Sequence, residues 1–328
     1  MKRICAALLF ACLLLTACAR ETPAEREFFA MDTLMHVKIW GSADAADAVE
    51  QELFRLDKLL SVTGESSDVF LLNRGRRAQL SDEAAELLRS AIALSRRTDG
   101  AFDPTVYPLV QLWGFTEGTQ RVPAQDELQA ALDNIGIENI EQDGNAVTLK
   151  NGAQLDFGGI AKGYAAEKCA ALLQTAGVEA ALLSLGGNVQ TVGTKPDGSQ
   201  WAVGIADPAQ PAQAIATLRF TGSLALVTSG GYQRYFEEDG VRYHHILDPE
   251  TGMPAQSGLA SVTVLAESGT LADALSTALF VMGLDAAAQF WRSSDDFEAI
   301  FITDDGQIFA TQGAAVLLGD CEFQEISR

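Results

Sequence analysis

The sequence predicts a mixed α+β protein in which antiparallel or mixed β-sheets are flanked by helices and arranged in two lobes. Segments of alternating polar and apolar residues, typical of strands, are interspersed with segments whose apolar residues recur at helical spacing. Three predicted strands also run into glycine pairs, at Gly158-Gly159, Gly186-Gly187 and Gly230-Gly231. Glycine loops that meet at one edge of a sheet let a ligand lie against the backbone.

The N-terminus has the features of an export signal. Lys2 and Arg3 precede an apolar run, Ile4 to Leu15, that is too short to span a bilayer comfortably. The following Leu15-Thr16-Ala17-Cys18 resembles the bacterial lipobox, in which the cysteine is lipidated and becomes the first residue. We therefore expect a lipoprotein signal peptide (1–17), a polar tether (18–27) and a domain (28–328) that is extracytoplasmic and anchored to the bacterial cell membrane through Cys18. The alternative is an ordinary signal peptide with an incidental cysteine.

Composition limits the classes of partner. The net charge of −21 and the isoelectric point near 4.4 exclude nucleic acid and anionic lipid surfaces. An acidic protein that binds a phosphate-bearing ligand needs local cations or a metal. Cys5 and Cys12 lie in the signal, so that Cys169 and Cys321 remain, and the sequence leaves open whether these two form a disulfide.

The N-terminal half contains one predicted strand followed by helices. Phe28–Trp40 alternates as a strand whose residues Met35, Val37 and Ile39 share a face. Helices are predicted over Ala43–Leu60, from an N-cap at Ser81 to about Arg97, and over Pro123–Leu132. Between the last two, Thr98–Thr105 combines Asp-Gly and Asp-Pro and predicts a turn that displays a carboxylate.

The centre of the chain predicts a strand, a glycine pair and a helix in succession. Asn145–Phe157 has the pattern of a β-hairpin around Asn151-Gly152, and Ala165–Ala176 is a predicted helix that ends at Gly177. The N-terminus of a helix attracts phosphate, and Lys162 adds a cation. The spacing matches neither GxxxxGK[ST] nor GxGxxG, so these residues alone are better explained by a tight turn.

The C-terminal half is rich in predicted strands. They cover Ala180–Leu185, Trp201–Asp207, Ala214–Phe220, Leu224–Thr228, Ser257–Ala266, Phe297–Ile302 and Gln307–Leu317. A helix is predicted over Leu271–Met282, begun by Ser268-Gly269-Thr270 and ended by Gly283. On it Asp273 and Thr277 are four residues apart and share a face, where their oxygens suit Mg²⁺. The alternative is a hydrogen bond between the two on a solvated face.

The order of these motifs resembles one family, the FAD:protein FMN transferases, also called the ApbE family. The resemblance covers essentially the whole mature chain. It is carried by Met31-Asp32-Thr33, Ala101-Phe102-Asp103, Asp156 to Gly163 (DFGGIAKG), Ser184 to Asn188 (SLGGN), His245 to Gly252 (HILDPETG) and Asp273 to Thr277 (DALST).

The resemblance implies an activity and a set of site residues. The family cleaves the pyrophosphate of FAD with Mg²⁺, moves FMN onto a Thr or Ser hydroxyl of a target protein as a phosphoester and releases AMP. It therefore implies FAD as substrate, Mg²⁺ as cofactor and, as partners, acceptor redox proteins that carry a Thr/Ser flavinylation motif. FAD is expected in the cleft between the lobes. By motif, the resemblance implies that the metal ligands are the side chains of Asp273 and Thr277 and the backbone carbonyl of Gly159. The implied FAD contacts are Met31, Ala101, Phe102, Asp103, Asp156, Lys162 and Leu247. The implied histidine beside the reacting phosphate is His245, next to His244.

Several alternatives remain open in the sequence. His245 is either a base for the acceptor hydroxyl or only a hydrogen-bonding partner of phosphate or backbone. Many relatives carry an aromatic residue near Thr63, and the sequence does not show what replaces it. The same site with water as acceptor would make a metal-dependent FAD pyrophosphatase that yields FMN and AMP. A lipoprotein that carries flavin without turnover is the third hypothesis.

Overall fold

The computed structural model of the protein describes residues 22–116, 118–319 and 321–328. The helices are α1 (Ala43–Leu60), α2 (Asp68–Gly75), α3 (Asp82–Arg97), α4 (Tyr107–Leu112), α5 (Gln125–Leu132), α6 (Ala161–Thr175), α7 (Gly269–Met282), α8 (Leu284–Arg292) and α9 (Gln312–Ala315), with a 3-10 turn at Ile137–Asn139. The strands are β1 (Ala24–Ala30), β2 (Thr33–Trp40), β3 (Arg77–Gln79), β4 (Ile140–Asp143), β5 (Ala146–Leu149), β6 (Ala180–Leu185), β7 (Asn188–Gly193), β8 (Trp201–Asp207), β9 (Gln210–Phe220), β10 (Ala225–Gly230), β11 (Tyr235–Glu238), β12 (Val241–His244), β13 (Leu259–Ala266), β14 (Glu298–Thr303), β15 (Ile308–Thr311) and β16 (Gln324–Ile326).

A nine-stranded sheet runs through the part of the chain that the structure describes, in the order β1-β2-β6-β7-β10-β13-β14-β15-β16. Neighbouring strands are antiparallel except for β15 and β16, which are parallel. Smaller sheets pair β11 with β12, β8 with β9, and β3, β5 and β4 with one another. The mixed α+β architecture predicted from the pattern is confirmed.

Helices cover one face of the large sheet and the β8–β9 hairpin covers part of the other. Along β10, Ala225 and Val227 belong to the apolar cluster under α7 and α8, whereas Leu226 between them belongs to the cluster that includes Trp201 of β8. Successive side chains of a strand point to opposite faces, so the sheet is buried on both sides here. α1, α3 and α6 share a further cluster with β2 and β6.

Several helix bounds agree closely with the sequence pattern. α1 spans the predicted residues, and α3 starts after Ser81, whose hydroxyl accepts a hydrogen bond from the Ala84 N–H. α7 is capped in the same way by Ser268, which accepts from the Leu271 N–H. Capping serines stabilise helix starts by typically about 1 kcal/mol, so these starts are encoded locally.

The prediction of a single strand over Phe28–Trp40 is wrong. The structure has two strands, β1 and β2, joined by a tight turn in which Met31 and Asp32 have φ values of 49° and 58°. Because β1 begins at Ala24, the folded body starts inside the range predicted as a tether. Cys18 and the predicted signal peptide lie outside the described residues.

Three further predictions need correction. The hairpin near residue 150 consists of β4 and β5 and turns at Gly144-Asn145, not at Asn151-Gly152; residues 155–157 are not a strand. α6 starts at Ala161, four residues before the predicted helix. The last predicted strand stops at Thr311, where α9 begins.

No disulfide joins Cys169 and Cys321. The helices of the described residues are all too short or too polar to cross a membrane.

Candidate active site

A cavity of about 950 Å³ lies where the glycine loops and the β1–β2 turn meet. Its size is at the upper end of the range of ligand pockets, which suits a large substrate. Every residue that the resemblance assigned to substrate, metal or catalysis lines it: Met31, Ala101, Phe102, Asp103, Asp156, Gly159, Lys162, His245, Leu247, Asp273 and Thr277. The fold therefore brings together residues from five separate stretches of the chain.

The glycine pair before α6 forms a turn against the opposite wall of the cavity. A Cβ atom at Gly159 would lie 3.3 Å from Phe102 Cε2 and 3.4 Å from Thr277 Oγ1. The Gly159 backbone is thus a close neighbour of both the aromatic ring and the hydroxyl. Lys162, in the first turn of α6, has its Nζ 3.5 Å from the Gly158 carbonyl oxygen. A cation and a helix N-terminus consequently occupy the same corner of the cavity.

α6 and α7 pack in close contact through glycines. A Cβ atom at Gly163 would lie 2.0 Å from the Gly269 carbonyl oxygen and 2.6 Å from Asp273 Cβ. This contact lets the Gly163 N–H donate a 2.7 Å hydrogen bond to Oδ2 of Asp273. The position of the Asp273 carboxylate is therefore fixed by the backbone of the neighbouring helix.

The residues around Asp273 suit a hard divalent cation. Asp273 is only 4% exposed, and no ion pair to its carboxylate is found among the described residues. A buried carboxylate without a cationic partner is costly, and a bound metal removes that cost. The Thr277 hydroxyl, 3.3 Å from Ser229 Oγ, adds a second oxygen on the same wall. The described residues contain no cluster of three or more His, Cys, Asp and Glu side chains suited to a metal, so carbonyl, hydroxyl or substrate oxygens have to complete the shell.

Two further carboxylates in the cavity are held by local hydrogen bonds. Burial raises the pKa of Asp156, although the Gly158 N–H, 2.6 Å from Oδ1, and the cations Arg234 and Lys162 oppose the rise. Burial also raises the pKa of Asp103, whose Oδ1 accepts from the N–H and the hydroxyl of Thr105. These bonds fix both carboxyl groups relative to the cavity wall.

The two adjacent histidines have different environments. His245 Nδ1 lies 3.1 Å from the Arg234 carbonyl oxygen. Because a carbonyl oxygen can only accept, Nδ1 carries the proton and Nε2 keeps a free lone pair. Burial lowers the pKa of His245 to about 3, which keeps it neutral. In His244, by contrast, Nε2 lies 3.0 Å from the Ala255 carbonyl oxygen and Nδ1 accepts from the Ile246 N–H, so both nitrogens serve the fold.

Sequence reasoning assigned no role to several residues of the cavity. Arg234 lies on its wall, and its Nη2 donates a 2.7 Å hydrogen bond to the Phe115 carbonyl oxygen. Phe115 and Tyr232 also line the cavity and supply aromatic surface; Thr63 lines it too but carries no ring. The only signal for Arg234 in the sequence was its place just after the third glycine pair.

Comparisons with known proteins identify the family of this chain. The ApbE family profile matches residues 31–301. The chain is 34% identical over 320 residues to the FAD:protein FMN transferase of Treponema pallidum, covering 90% of this chain and 88% of that protein. It is also 34% identical over 287 residues to the FAD:protein FMN transferase of Vibrio cholerae, covering 83% and 85%.

Solved structures give the same result. The ApbE protein of Thermotoga maritima superposes with a TM-score of 0.84 at 36% identity and covers 90% of this chain and 99% of that one. The flavin transferase ApbE of Vibrio cholerae superposes with a TM-score of 0.78 at 29% identity, with coverages of 90% and 99%. Since the family profile, curated relatives above 30% identity and solved structures all cover most of the sequence, the chain belongs to the ApbE family.

Proposed function

We propose that the chain is a Mg²⁺-dependent FAD:protein FMN transferase that moves FMN from FAD to a Thr or Ser hydroxyl of an acceptor protein and releases AMP. The observation that carries this proposal is the convergence of the buried Asp273 carboxylate, the Thr277 hydroxyl and the Lys162 cation on one large cavity. The curated relatives are FAD:protein FMN transferases by name, which supports the same activity.

The residues around the N-terminus of α6 bind and orient the diphosphate. The side chains of Asp273 and Thr277, with the Gly159 carbonyl, are the groups that would hold Mg²⁺. When bound, Mg²⁺ supplies positive charge that offsets the charge on the diphosphate as its bond breaks. Lys162 and the backbone at Gly159 contribute further positive potential, because the first N–H groups of a helix point at its ligand. Positioning and electrostatics account for most of the rate in phosphoryl transfer.

His245 accepts the proton of the acceptor hydroxyl. Its Nδ1–H donates to the Arg234 carbonyl oxygen, which leaves Nε2 as the base. The hydroxyl oxygen attacks the phosphorus of the FMN half, an O–P bond forms, and the bond between this phosphorus and the bridging oxygen breaks. AMP leaves with the bridging oxygen, and the proton goes to Nε2. Atoms and charge balance without a further reactant.

We also propose that the protein is anchored to the outer face of the bacterial cell membrane. The Leu15-Thr16-Ala17-Cys18 motif supports lipidation at Cys18, which would tether the folded domain outside the cytoplasm. The acceptors there would be redox proteins that carry a Thr/Ser flavinylation motif. Expression of the chain and of Cys18→Ser tests this part. The chain is expected in the membrane fraction with a lipid-sized mass increase, and Cys18→Ser should lack both. If the parent chain and Cys18→Ser had the same mass apart from the substitution and the same share in the membrane fraction, the lipid anchor would be contradicted.

Mass spectrometry of an acceptor domain incubated with the purified chain, FAD and Mg²⁺ tests the activity. An FMN adduct on a Thr or Ser, with AMP released in equal amount, is expected. Free FMN and AMP without an adduct would establish the pyrophosphatase reaction instead. FAD recovered unchanged would favour the carrier.

A matched pair of variants tests the role of the Asp273 carboxylate. Asp273→Asn keeps an oxygen for the Gly163 N–H but removes the negative charge, and it should abolish the adduct. Asp143→Asn makes the same chemical change on exposed β4, outside the cavity, and should leave the adduct yield unchanged. Equal adduct yields from the two variants would refute the assigned role of Asp273.

A further inference from the structure

We infer that the side-chain amide of Asn188 is a substrate-binding group that donates a hydrogen bond to the diphosphate of the substrate. The inference rests on the proposed function and adds to it a residue in the first position of β7, directly after the Gly186-Gly187 turn. Asn188 is the last residue of the SLGGN stretch, and neither the sequence patterns nor the resemblance assign a role to its side chain.

The Asn188 side chain carries an unsatisfied hydrogen-bond donor. Asn188 is 2% exposed and lines the cavity, yet its Nδ2 has no hydrogen-bond partner among the described residues. Leaving a buried donor unpaired costs about 1–3 kcal/mol, so such a group needs an acceptor from elsewhere. Since Asn188 lines the cavity, we expect a ligand bound there to supply this acceptor.

Other buried asparagines of the chain show what a structural amide does. Asn73 Nδ2 donates to the Leu155 carbonyl oxygen at 2.8 Å, and its Oδ1 accepts from the Leu155 N–H at 2.7 Å. Asn139 Nδ2 donates to the Ile135 carbonyl oxygen, and its Oδ1 accepts from Asn151. Both amides hold loops together. The Asn188 amide makes no such bond to any residue between 22 and 328 that the structure describes, so it does not hold a loop as these two do.

Strand register places Asn188 level with the part of α7 that carries Asp273. On the same face of β7, Gln190 Oε1 lies 3.4 Å from the position of a Cβ at Gly269, one helical turn before Asp273. Asn188 is paired with Val227 of β10. Two residues further along β10, Ser229 Oγ lies 2.8 Å from Ser276 Oγ, just beyond Asp273. Asn188 thus lies between these two contacts, level with the part of α7 that carries Asp273 and that we assign to the metal and the diphosphate.

The chemistry of an amide N–H fits an anionic oxygen at this place. A neutral donor binds a phosphate oxygen without adding charge, and hydrogen bonds to charged groups are the stronger ones. Removal of one such bond should weaken substrate binding by about 10- to 100-fold. Because the donor is unpaired in the ligand-free protein, its removal should not weaken folding.

Asn188→Leu in the full chain, purified in detergent, separates binding from stability. The dissociation constants of FAD and of ADP, which shares the diphosphate, should both rise by about 10- to 100-fold, whereas the melting temperature of the ligand-free protein stays equal or rises. Asn188→Asp, which replaces the donor by a negative charge, should weaken FAD binding at least as much. Asn139→Leu is the control with a structural amide, and it should lower the melting temperature and leave FAD binding unchanged.

Three results would overturn the inference. A lower melting temperature of Asn188→Leu with unchanged FAD affinity would make the residue structural. A loss of FAD affinity with unchanged ADP affinity would move the contact from the diphosphate to the flavin. In both cases the proposed function survives. Failure of the unmodified chain to bind FAD would overturn the function and this inference together.

Discussion

Replacing Gly163 by alanine measures how far the site depends on the close contact of α6 and α7. The added Cβ would lie 2.0 Å from the Gly269 carbonyl oxygen, and an ordinary contact needs about 3.4 Å, so the helices must separate locally by about 1.4 Å (3.4 − 2.0). Overpacking of this kind costs about 1–3 kcal/mol of unfolding free energy. The same movement stretches the 2.7 Å bond between the Gly163 N–H and Asp273 Oδ2. Since a misplacement of about 1 Å can cost about 100-fold in rate, we expect a loss of that order in FMN transfer.

Gly75→Ala is the matched control for this change. Gly75 is the last residue of α2, and a Cβ there would have no heavy atom within 4 Å. Alanine is a better helix former than glycine by up to about 1 kcal/mol, so this variant should be as stable as the parent or slightly more stable. Denaturant unfolding and the rate of FMN transfer are measured for both variants. If Gly163→Ala matches Gly75→Ala in both measurements, the close contact does not position Asp273.

Three further predictions concern ionisation, reactivity and metal binding. Burial lowers the pKa of His245 from 6.5 to about 3. Between pH 6.5 and about 3 the unfolded chain therefore binds more protons than the folded chain. The His245 contribution to stability is lost as the pH falls through this window. The pH–rate profile of FMN transfer should therefore show no midpoint near 6.5; a midpoint there would contradict a His245 that stays neutral in the folded protein. Burial raises the pKa of Cys169 to about 12, so iodoacetamide at pH 8 should leave this thiol unmodified until the chain is unfolded, as peptide mass spectrometry can show; fast alkylation of the folded protein would contradict its burial. Mg²⁺ should raise the melting temperature of the parent and not that of Asp273→Asn, and an equal shift in both would exclude Asp273 as a ligand.

Local sequence was enough to predict the helices with polar starts. Ser81 and Ser268 each cap a helix within three residues of themselves, and the apolar spacing of α1 and α3 is complete within each helix. α4 was not predicted, because six residues are too few for a periodic pattern. Its proline in the first turn suits a helix start but is equally common in turns.

Elements that depend on distant partners were predicted less well. Residues 155–157 alternate like a strand, yet Leu155 is held by the side chain of Asn73, and the Asp156 N–H donates to the Pro104 carbonyl oxygen. The turn at Met31 and Asp32 contains no glycine or proline to mark it, and its positive φ values are tolerated only because β1 and β2 pair on either side.

The sequence by itself predicted the family and a set of candidate site residues. The motifs from Met31 to Thr277 predicted the family, and every residue carried over by motif lines one cavity. Tertiary structure alone decided the roles of their neighbours: the hydrogen bond from Gly163 to Asp273, the carbonyl of Arg234 that sets the His245 tautomer, and the unpaired amide of Asn188. The physical reason is the distance along the chain over which each kind of interaction acts. Caps and periodicity act within one or two turns of the chain, whereas partners on different elements, such as Gly163 and Asp273, meet only once the sheet has set the register of its strands.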